Sequence, residues 1–336
     1  MLKRKMRTAM AAVVAAVTML GVERASAQAE TEDLVLLLNW FHLADHSIYY
    51  LGMERGYYEE EGIRLIVRRG YGSGDTTKKM ELQQATIGVA ETGVVVTAIS
   101  KGADLRLLGI IFDKPVNGIF SLKSAGIETP ADLEGKSIGA PPGDSHVTLW
   151  PAFCAANEID CDTIQLINIQ PEGKQAIVAS GQADAAFDAY TGLNIWKKAL
   201  GDEVTYLDWS DWGIALYGHG YVAHTDLIEA DPDLIERFLR ATYRSWKAAY
   251  EDPDASIDAM YGADGVQTFD RDVYRANLDL ILDRVITERS EEYGIGWIVP
   301  ELMQSTIDLT ALGGQLDREL TADEVFTNEF NPKIYP

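Results

Sequence analysis

A chain of 336 residues with 52 acidic and 29 basic side chains has a formal charge of −23. Such a surface repels polyphosphates, which excludes nucleic acid as a partner, and the acidic excess reads as a means of solubility. With 47% apolar residues the chain is long enough for two compact domains and too short for three.

The N-terminus carries Lys3, Arg4, Lys5 and Arg7, then an apolar run over 9–20, then Ala25-Ser26-Ala27. This order predicts a secretory signal peptide over 1–27 with cleavage after the small residues. The apolar run is too short to span a bilayer. No cysteine follows it to accept a lipid, so the mature protein is expected to be free outside the cytoplasm.

Beyond the leader, strand and helix signals alternate. The unbroken apolar run 34–38 predicts a strand covered on both faces, as in a parallel sheet. Asp45 is placed to cap a helix running to Arg55, with Gly56 ending it. Strands are predicted over 63–67, 86–90 and 105–112, separated by the glycine loop 70–74 with a helix begun at Asp75, and by a helix over 94–100. That alternation predicts a three-layer α/β unit.

After Pro115 the same grammar restarts. Strands are predicted over 118–122, 137–140, 164–169 and 185–187, with helices over 130–133, through Trp150 to Ala156, and over 174–180. QATIGVA from Gln84 and QADAAFD from Gln182 superpose, each behind a helix and before a loop. Past Val204 the stretch WSDWGIALYGHGYVA reads as irregular, and from Asp226 onward the chain is helical. Ile235, Phe238, Leu239, Thr242, Trp246 and Ala249 share one helical face. The second unit holds too little sequence to absorb these helices, so they are expected to return to the first. The prediction is two similar lobes, 31–115 with 218–330 and 116–217, joined by two crossings near 112–118 and 212–221. A double crossing is a hinge geometry.

Cys154 and Cys161 are the two cysteines of the chain, spaced as CAANEIDC. An oxidising compartment permits a bridge, and a local disulfide and a pair of free thiols both fit the spacing.

In open parallel sheets ligands lie beyond the carboxyl ends of the strands. The loops predicted there carry Asn39, Trp40, Phe41, Tyr71, Ser73, Glu91, Thr92 and Phe112 on one lobe and Ser145, His146, Trp150, Asp188 and Tyr190 on the other. Trp40, at the tip of a buried strand, is the candidate for stacking on a flat ligand, and packing over the next helix fits it equally. His46 is a candidate hydrogen-bonding group. His42 and His46 stand four apart, but no third ligand suggests itself, so no metal is expected. Glu91 and Asp188 end strands in opposite lobes and are expected to converge across a cleft. The glycine loop 70–74 lacks the Lys-Ser/Thr pair of a P-loop. No Ser, Cys or Lys is tied to a base and an orienting group, so binding without turnover, and without cofactor, is expected.

LNWF, GYYEEEGI, GSGD, ETPADLEGKSIGAPPGDSH and GQADAAF, in this order, resemble the NMT1/THI5 family of ABC-importer substrate-binding proteins. The likeness runs over about 34–221 and includes SsuA-like relatives; TPADLEGKSIGAPPG is its most specific part. The resemblance implies a two-lobed type II periplasmic binding protein fold, with mixed sheets flanked by helices and a two-strand hinge. It implies a monomer in the periplasm that closes on a small planar, pyrimidine-like solute and presents it to an ABC permease and ATPase complex at the inner membrane. It also implies that a Trp after the first strand stacks on the ring, which Trp40 matches, and that acidic side chains receive amino groups, for which Glu91 and Asp188 are the candidates. Family members that bind sulfonate or nitrate make an anion receptor the alternative. The predicted strand-end loops show no arginine and Lys114 is the only obvious base nearby, which favours a neutral or cationic ring. Fungal members that make pyrimidine use a cysteine-rich motif near a histidine, which this chain lacks.

Overall fold

The computed structural model describes residues 31–336, so the predicted signal peptide lies outside the described residues. Ten strands form two five-stranded sheets. They are β1 (Glu32–Leu37), β2 (Ile63–Arg68), β3 (Ile87–Glu91), β4 (Leu105–Ile110), β5 (Asn117–Leu122), β6 (Ser137–Ala140), β7 (Gln165–Asn168), β8 (Ala185–Ala189), β9 (Val204–Asp208) and β10 (His219–His224). The first sheet runs β2-β1-β3-β10-β4 and the second β7-β6-β8-β5-β9.

The two sheets repeat one plan. β1 pairs parallel with β2 and β3, and β6 pairs parallel with β7 and β8. β10 runs antiparallel to both of its neighbours, as does β5. In each sheet the antiparallel strand is the one that arrives from the other sheet, β5 following β4 and β10 following β9. Its first residue therefore sits level with the last residues of its parallel neighbours: Asn117 opposes Ala189 and His219 opposes Glu91. The start of an antiparallel strand thus faces the same end of the sheet as the loops that follow the parallel strands.

The apolar runs form the strands expected of them, because residues such as Leu34, Leu36, Ile87 and Val89 are buried with helices around them. The region read as irregular past Val204 is different: it contains β9 and β10, with a 3₁₀ turn Trp209–Trp212 between them. Glycine hides β10 in the sequence. A Cβ on Gly220 would stand 2.8 Å from the Gly109 carbonyl oxygen, so close strand packing demands the residue that weakens the strand signal. Asp45 also departs from expectation. It lies buried in a 3₁₀ turn, Ala44–His46, and the helix that follows, Ser47–Glu54, has no side-chain cap.

The C-terminal helices do return to the first sheet. Helix Pro232–Glu251, capped by Asp231 and opened by Pro232, lays Leu234, Ile235, Phe238, Leu239 and Trp246 into the core that holds Leu34, Leu36 and Tyr58. Each such side chain contributes about 1.5–3 kcal/mol by leaving water. Helix Arg271–Val285 also meets helix Leu193–Leu200, where the Asn194 N–H donates to Asn277 Oδ1 at 3.0 Å. Cys154 and Cys161 form a disulfide, Cα–Cα 5.9 Å, which closes the end of helix Ser145–Ala156. Among the described residues no helix is long and apolar enough to cross a membrane.

Candidate functional site

The loop leaving β1 is pinned by its neighbour. Gly70 and Gly72 donate their N–H groups to Trp40 and Asn39 carbonyls at 2.9 and 2.8 Å, and the Thr76 hydroxyl donates to the Leu38 carbonyl at 2.8 Å. A Cβ on Gly70 would stand 2.0 Å from the Leu38 carbonyl oxygen, so glycine is required there. Trp40 is thereby held rigid at the tip of a central strand.

Behind it lies a chain of neutral histidines whose proton positions follow from their partners. His46 Nδ1 accepts the Leu43 N–H at 3.0 Å, which leaves its proton on Nε2, donated to Asn39 Oδ1 at 3.1 Å. Asn39 Nδ2 then donates to His219 Nε2 at 3.3 Å, so the His219 proton is on Nδ1. That N–H is buried without a hydrogen-bond partner among the described residues. Burial lowers the pKa of His46 to about 3 and of His219 to about 4, which keeps both rings uncharged at neutral pH. Asp45 lies beside them with Oδ2 3.4 Å from His46 Nε2 and with Oδ1 buried and unpartnered; burial pushes its carboxyl up to about 6.

The opposing wall, from the second sheet, is fully paired at its charges. Asp144 caps helix Ser145–Ala156, accepting the His146 N–H at 3.1 Å and its Nδ1–H at 2.6 Å, while His146 Nε2 accepts the Gly118 N–H at 3.1 Å. Lys174, only 4% exposed, donates to Asp144 at 3.0 Å and Asp188 at 3.1 Å. Asp188 also accepts the Trp196 indole N–H at 2.8 Å. Burial opposes the charge on Asp144, but Lys174 and His146 outweigh it and hold the carboxyl well below the usual range. Burial likewise opposes the Lys174 charge, and Asp144 and Asp188 outweigh it and raise its pKa. The Lys174 ammonium lies 4.7 Å from the Trp40 ring centroid, so the two walls meet through a cation–π contact. They meet again where the Gly74 N–H donates to the Gly143 carbonyl at 3.1 Å. The two glycine loops therefore touch each other: a Cβ on Gly72 would stand 2.1 Å from the Gly143 oxygen.

Two connected spaces lie between the walls. A polar recess of about 40 Å³ is bounded by Asn39, Asp45, Ser73, Asn117, Ser145, His146 and His219. A cavity of about 410 Å³ opens beside it, walled by Phe41, Ile195, Phe269 and Tyr274. Trp40, Leu43, Lys174, Asp188 and Thr191 border both.

Of the residues expected from sequence, Asn39, Trp40, Phe41, Ser73, Ser145, His146 and Asp188 are brought to these spaces. The others are placed differently. His46 stands behind Asn39, with both ring nitrogens engaged, so His42 and His46 form no metal pair. Glu91 does not converge with Asp188. It is fully buried, caps helix Thr92–Ser100 by accepting the Val94 N–H at 3.2 Å, and is pushed up to about 8 by burial. Thr92 is buried and donates to the Gly218 carbonyl. Phe112 is core, 5.1 Å from the His219 ring, and Trp150 is core between Phe153, Phe187 and Trp209. Tyr190 lies under the Arg284 guanidinium at 4.5 Å, and Tyr71 is exposed under Arg69 at 4.3 Å. Strand-end position alone does not distinguish a ring turned to a cleft from one turned to the core.

Sequence reasoning missed Lys174, Asn117, His219 and Asp45. Lys174, not Lys114, is the cation at the site, at the start of the helix Lys174–Ala179. Asn117 and His219 open the antiparallel strands, a position that a rule about strand carboxyl ends does not inspect.

The model of the family described as NMT1/THI5 like matches residues 43–256. The chain belongs to this family. Among its relatives are the riboflavin-binding protein RibY of Chloroflexus aurantiacus, 23% identical over 91% of this chain and 88% of its own, and the formylaminopyrimidine-binding protein of Halalkalibacterium halodurans, 22% identical over 76% and 78%. A 4-amino-5-hydroxymethyl-2-methylpyrimidine phosphate synthase of Legionella pneumophila is 24% identical over 68% of this chain and 72% of its own. The alkanesulfonate-binding protein SsuA of Xanthomonas axonopodis, solved with MOPS bound, superposes with a TM-score of 0.70 at 18% identity, over 89% of this chain and 100% of SsuA. This NMT1/THI5-like chain thus has the fold of the periplasmic binding proteins.

Proposed function

We propose that the protein is the solute-binding component of an ABC importer, taking up a small planar nitrogen heterocycle between the two sheets and presenting it to a membrane permease. In this reading 31–115 with 218–330 and 116–217 are hinged lobes, residues 1–27 direct export to the periplasm, and the protein acts as a monomer. The observation that carries it is the set of buried, unpartnered polar atoms on residues bordering the recess: the acceptors Asp45 Oδ1 and Asn117 Oδ1 and the donor His219 Nδ1–H. Buried polar atoms are nearly always satisfied, so three on the residues of one recess point to a ligand offering two donors and an acceptor. An amino group beside a ring nitrogen has that pattern. Two relatives are named for binding nitrogen heterocycles, riboflavin and formylaminopyrimidine.

An anion receptor fits less well. The one cation at the recess, Lys174, is committed to two carboxylates, with Asp45 a third nearby. Turnover is also disfavoured by geometry. Ser145 accepts a hydrogen bond from Asn117, and both ring nitrogens of His146 are engaged, so no base is available to activate the hydroxyl. The two cysteines are bonded to each other.

Titration calorimetry of purified protein with 4-amino-5-hydroxymethyl-2-methylpyrimidine, methanesulfonate and nitrate tests the reading, with mass spectrometry of the recovered compound. The expected result is micromolar binding of the pyrimidine, about −8 kcal/mol, and its return unaltered. Tighter binding of either anion, or chemical change in the pyrimidine, would overturn the proposal.

A further inference from the structure

The two spaces share a border and differ about tenfold in volume; the residues of the smaller carry the unpartnered atoms of Asp45, Asn117 and His219, and Phe41, Ile195, Phe269 and Tyr274 border the larger. We propose that the solute is a two-part molecule: an amino-bearing heterocycle edge enters the recess, and a broader apolar or aromatic body, larger than one ring, fills the outer cavity. This inference rests on the function proposed above and specifies the solute class of that same site.

Size sets the division. The recess has about a tenth of its neighbour's volume, so it takes the smaller, polar end of the solute: an amino group, the carbon bearing it and the adjoining ring nitrogen. The residues bordering it carry Asp45 Oδ1, Asn117 Oδ1 and His219 Nδ1–H without partners, two acceptors and a donor that such an edge complements. Surrounding carboxylates favour a polarised or protonated amino edge over an anionic one.

The remainder of the molecule must then lie outside the recess, in a cavity of about 410 Å³. By the same measure that cavity holds roughly ten times the recess, far more than the other half of one ring. Its walls suit an apolar body. Phe269 stacks on Tyr274 with centroids 4.1 Å apart, and Phe41 and Ile195 add further apolar surface. Trp40 borders both spaces with its ring 5.7 Å from Phe41. A ring entering edge first passes Trp40 at the junction, where stacking is available to it.

Calorimetry with three matched probes tests this: 4-amino-2-methylpyrimidine, its 5-benzyl derivative, and that derivative without the amino group. The benzyl compound is expected to bind at least tenfold more tightly than the parent, and loss of the amino group to cost at least tenfold. Phe269→Ala, with Ile195→Ser as a second variant should the first not fold, is expected to weaken the benzyl compound at least fivefold more than the parent. Equal affinity of parent and benzyl compound, or a benzyl gain that survives both variants, overturns the two-part solute and leaves the receptor reading standing. Binding by neither amino compound overturns both.

Discussion

The two walls of the recess use buried polar groups in opposite ways. On the second sheet, Asp144, His146, Lys174 and Asp188 form a closed network in which every charge has a partner. On the first sheet, Asp45 and His219 keep buried atoms without one, and Glu91 Oε1, just behind, is in the same condition. Asn117 Oδ1 is the unpaired atom that the second sheet contributes. A saturated network is a rigid abutment, whereas unsatisfied atoms carry a desolvation penalty that a ligand relieves. Under the function proposed above, recognition would reside mainly on the first wall, with the second holding the cleft in shape.

The largest effect should come from breaking the saturated wall. Lys174→Met leaves the buried Asp144 and the half-buried Asp188 without their cation, and is expected to destabilise the fold by about 3–5 kcal/mol in urea denaturation. A loss under about 1 kcal/mol would mean that the network is not the abutment described here.

The opposite wall should respond with the opposite sign. Burial raises Glu91 from 4.5 to about 8, so its unfolded form ionises first, and the stability present below pH 4.5 is lost as pH rises toward 8. Histidines 42, 46 and 219 have lowered pKa values, so their contribution is present above pH 6.5 and is lost only on acidification. Between pH 6.5 and 8 the Glu91 slope therefore stands clear of them. Glu91→Gln is expected to raise stability at pH 8 by about 3 kcal/mol and to flatten the profile of thermal denaturation over that interval. An unchanged slope would show that Glu91 is ionised and satisfied.

Replacing both cysteines, Cys154→Ser with Cys161→Ser, opens a short loop, sequence separation 7, on the second sheet. The expected loss is about 2 kcal/mol, read by denaturation with pyrimidine affinity unchanged. A fall in affinity instead would place the staple in the recognition machinery.

The smallest effect is the most specific. Asp45→Asn keeps the shape of the recess and removes a charge, so pyrimidine binding at pH 7.5 should weaken about tenfold, about 1.4 kcal/mol. Because the wild-type carboxyl is protonated below about 6, the difference should narrow at pH 5. Calorimetry at the two pH values checks both statements, and equal affinity at pH 7.5 would remove Asp45 from the site.

Legibility of the sequence followed the physics of each element. Runs such as Leu34–Leu38 announce themselves because a strand covered on both faces must be apolar throughout. The amphipathic face of 235–250 was equally plain. β10 was not, since Gly218 and Gly220 allow close approach while erasing the side-chain pattern. Trp40, which extends a buried strand, borders both spaces. Trp150 and Phe112 look alike in sequence and turn into the core.

The order of apolar runs, caps and glycines was enough by itself to specify the alternating α/β plan, the amphipathic C-terminal helices and the strand tip that carries Trp40. Such features depend on near neighbours in the chain, and near neighbours leave a periodic trace. Only the tertiary structure decided that Lys174 meets Trp40, that Asn117 and His219 face the recess, and that Glu91 does not. Each of those contacts joins residues brought together by strand direction across separate sheets. β5 and β10 each arrive from the other sheet and lie between two strands that run the opposite way, a property of the assembled core rather than of any local stretch.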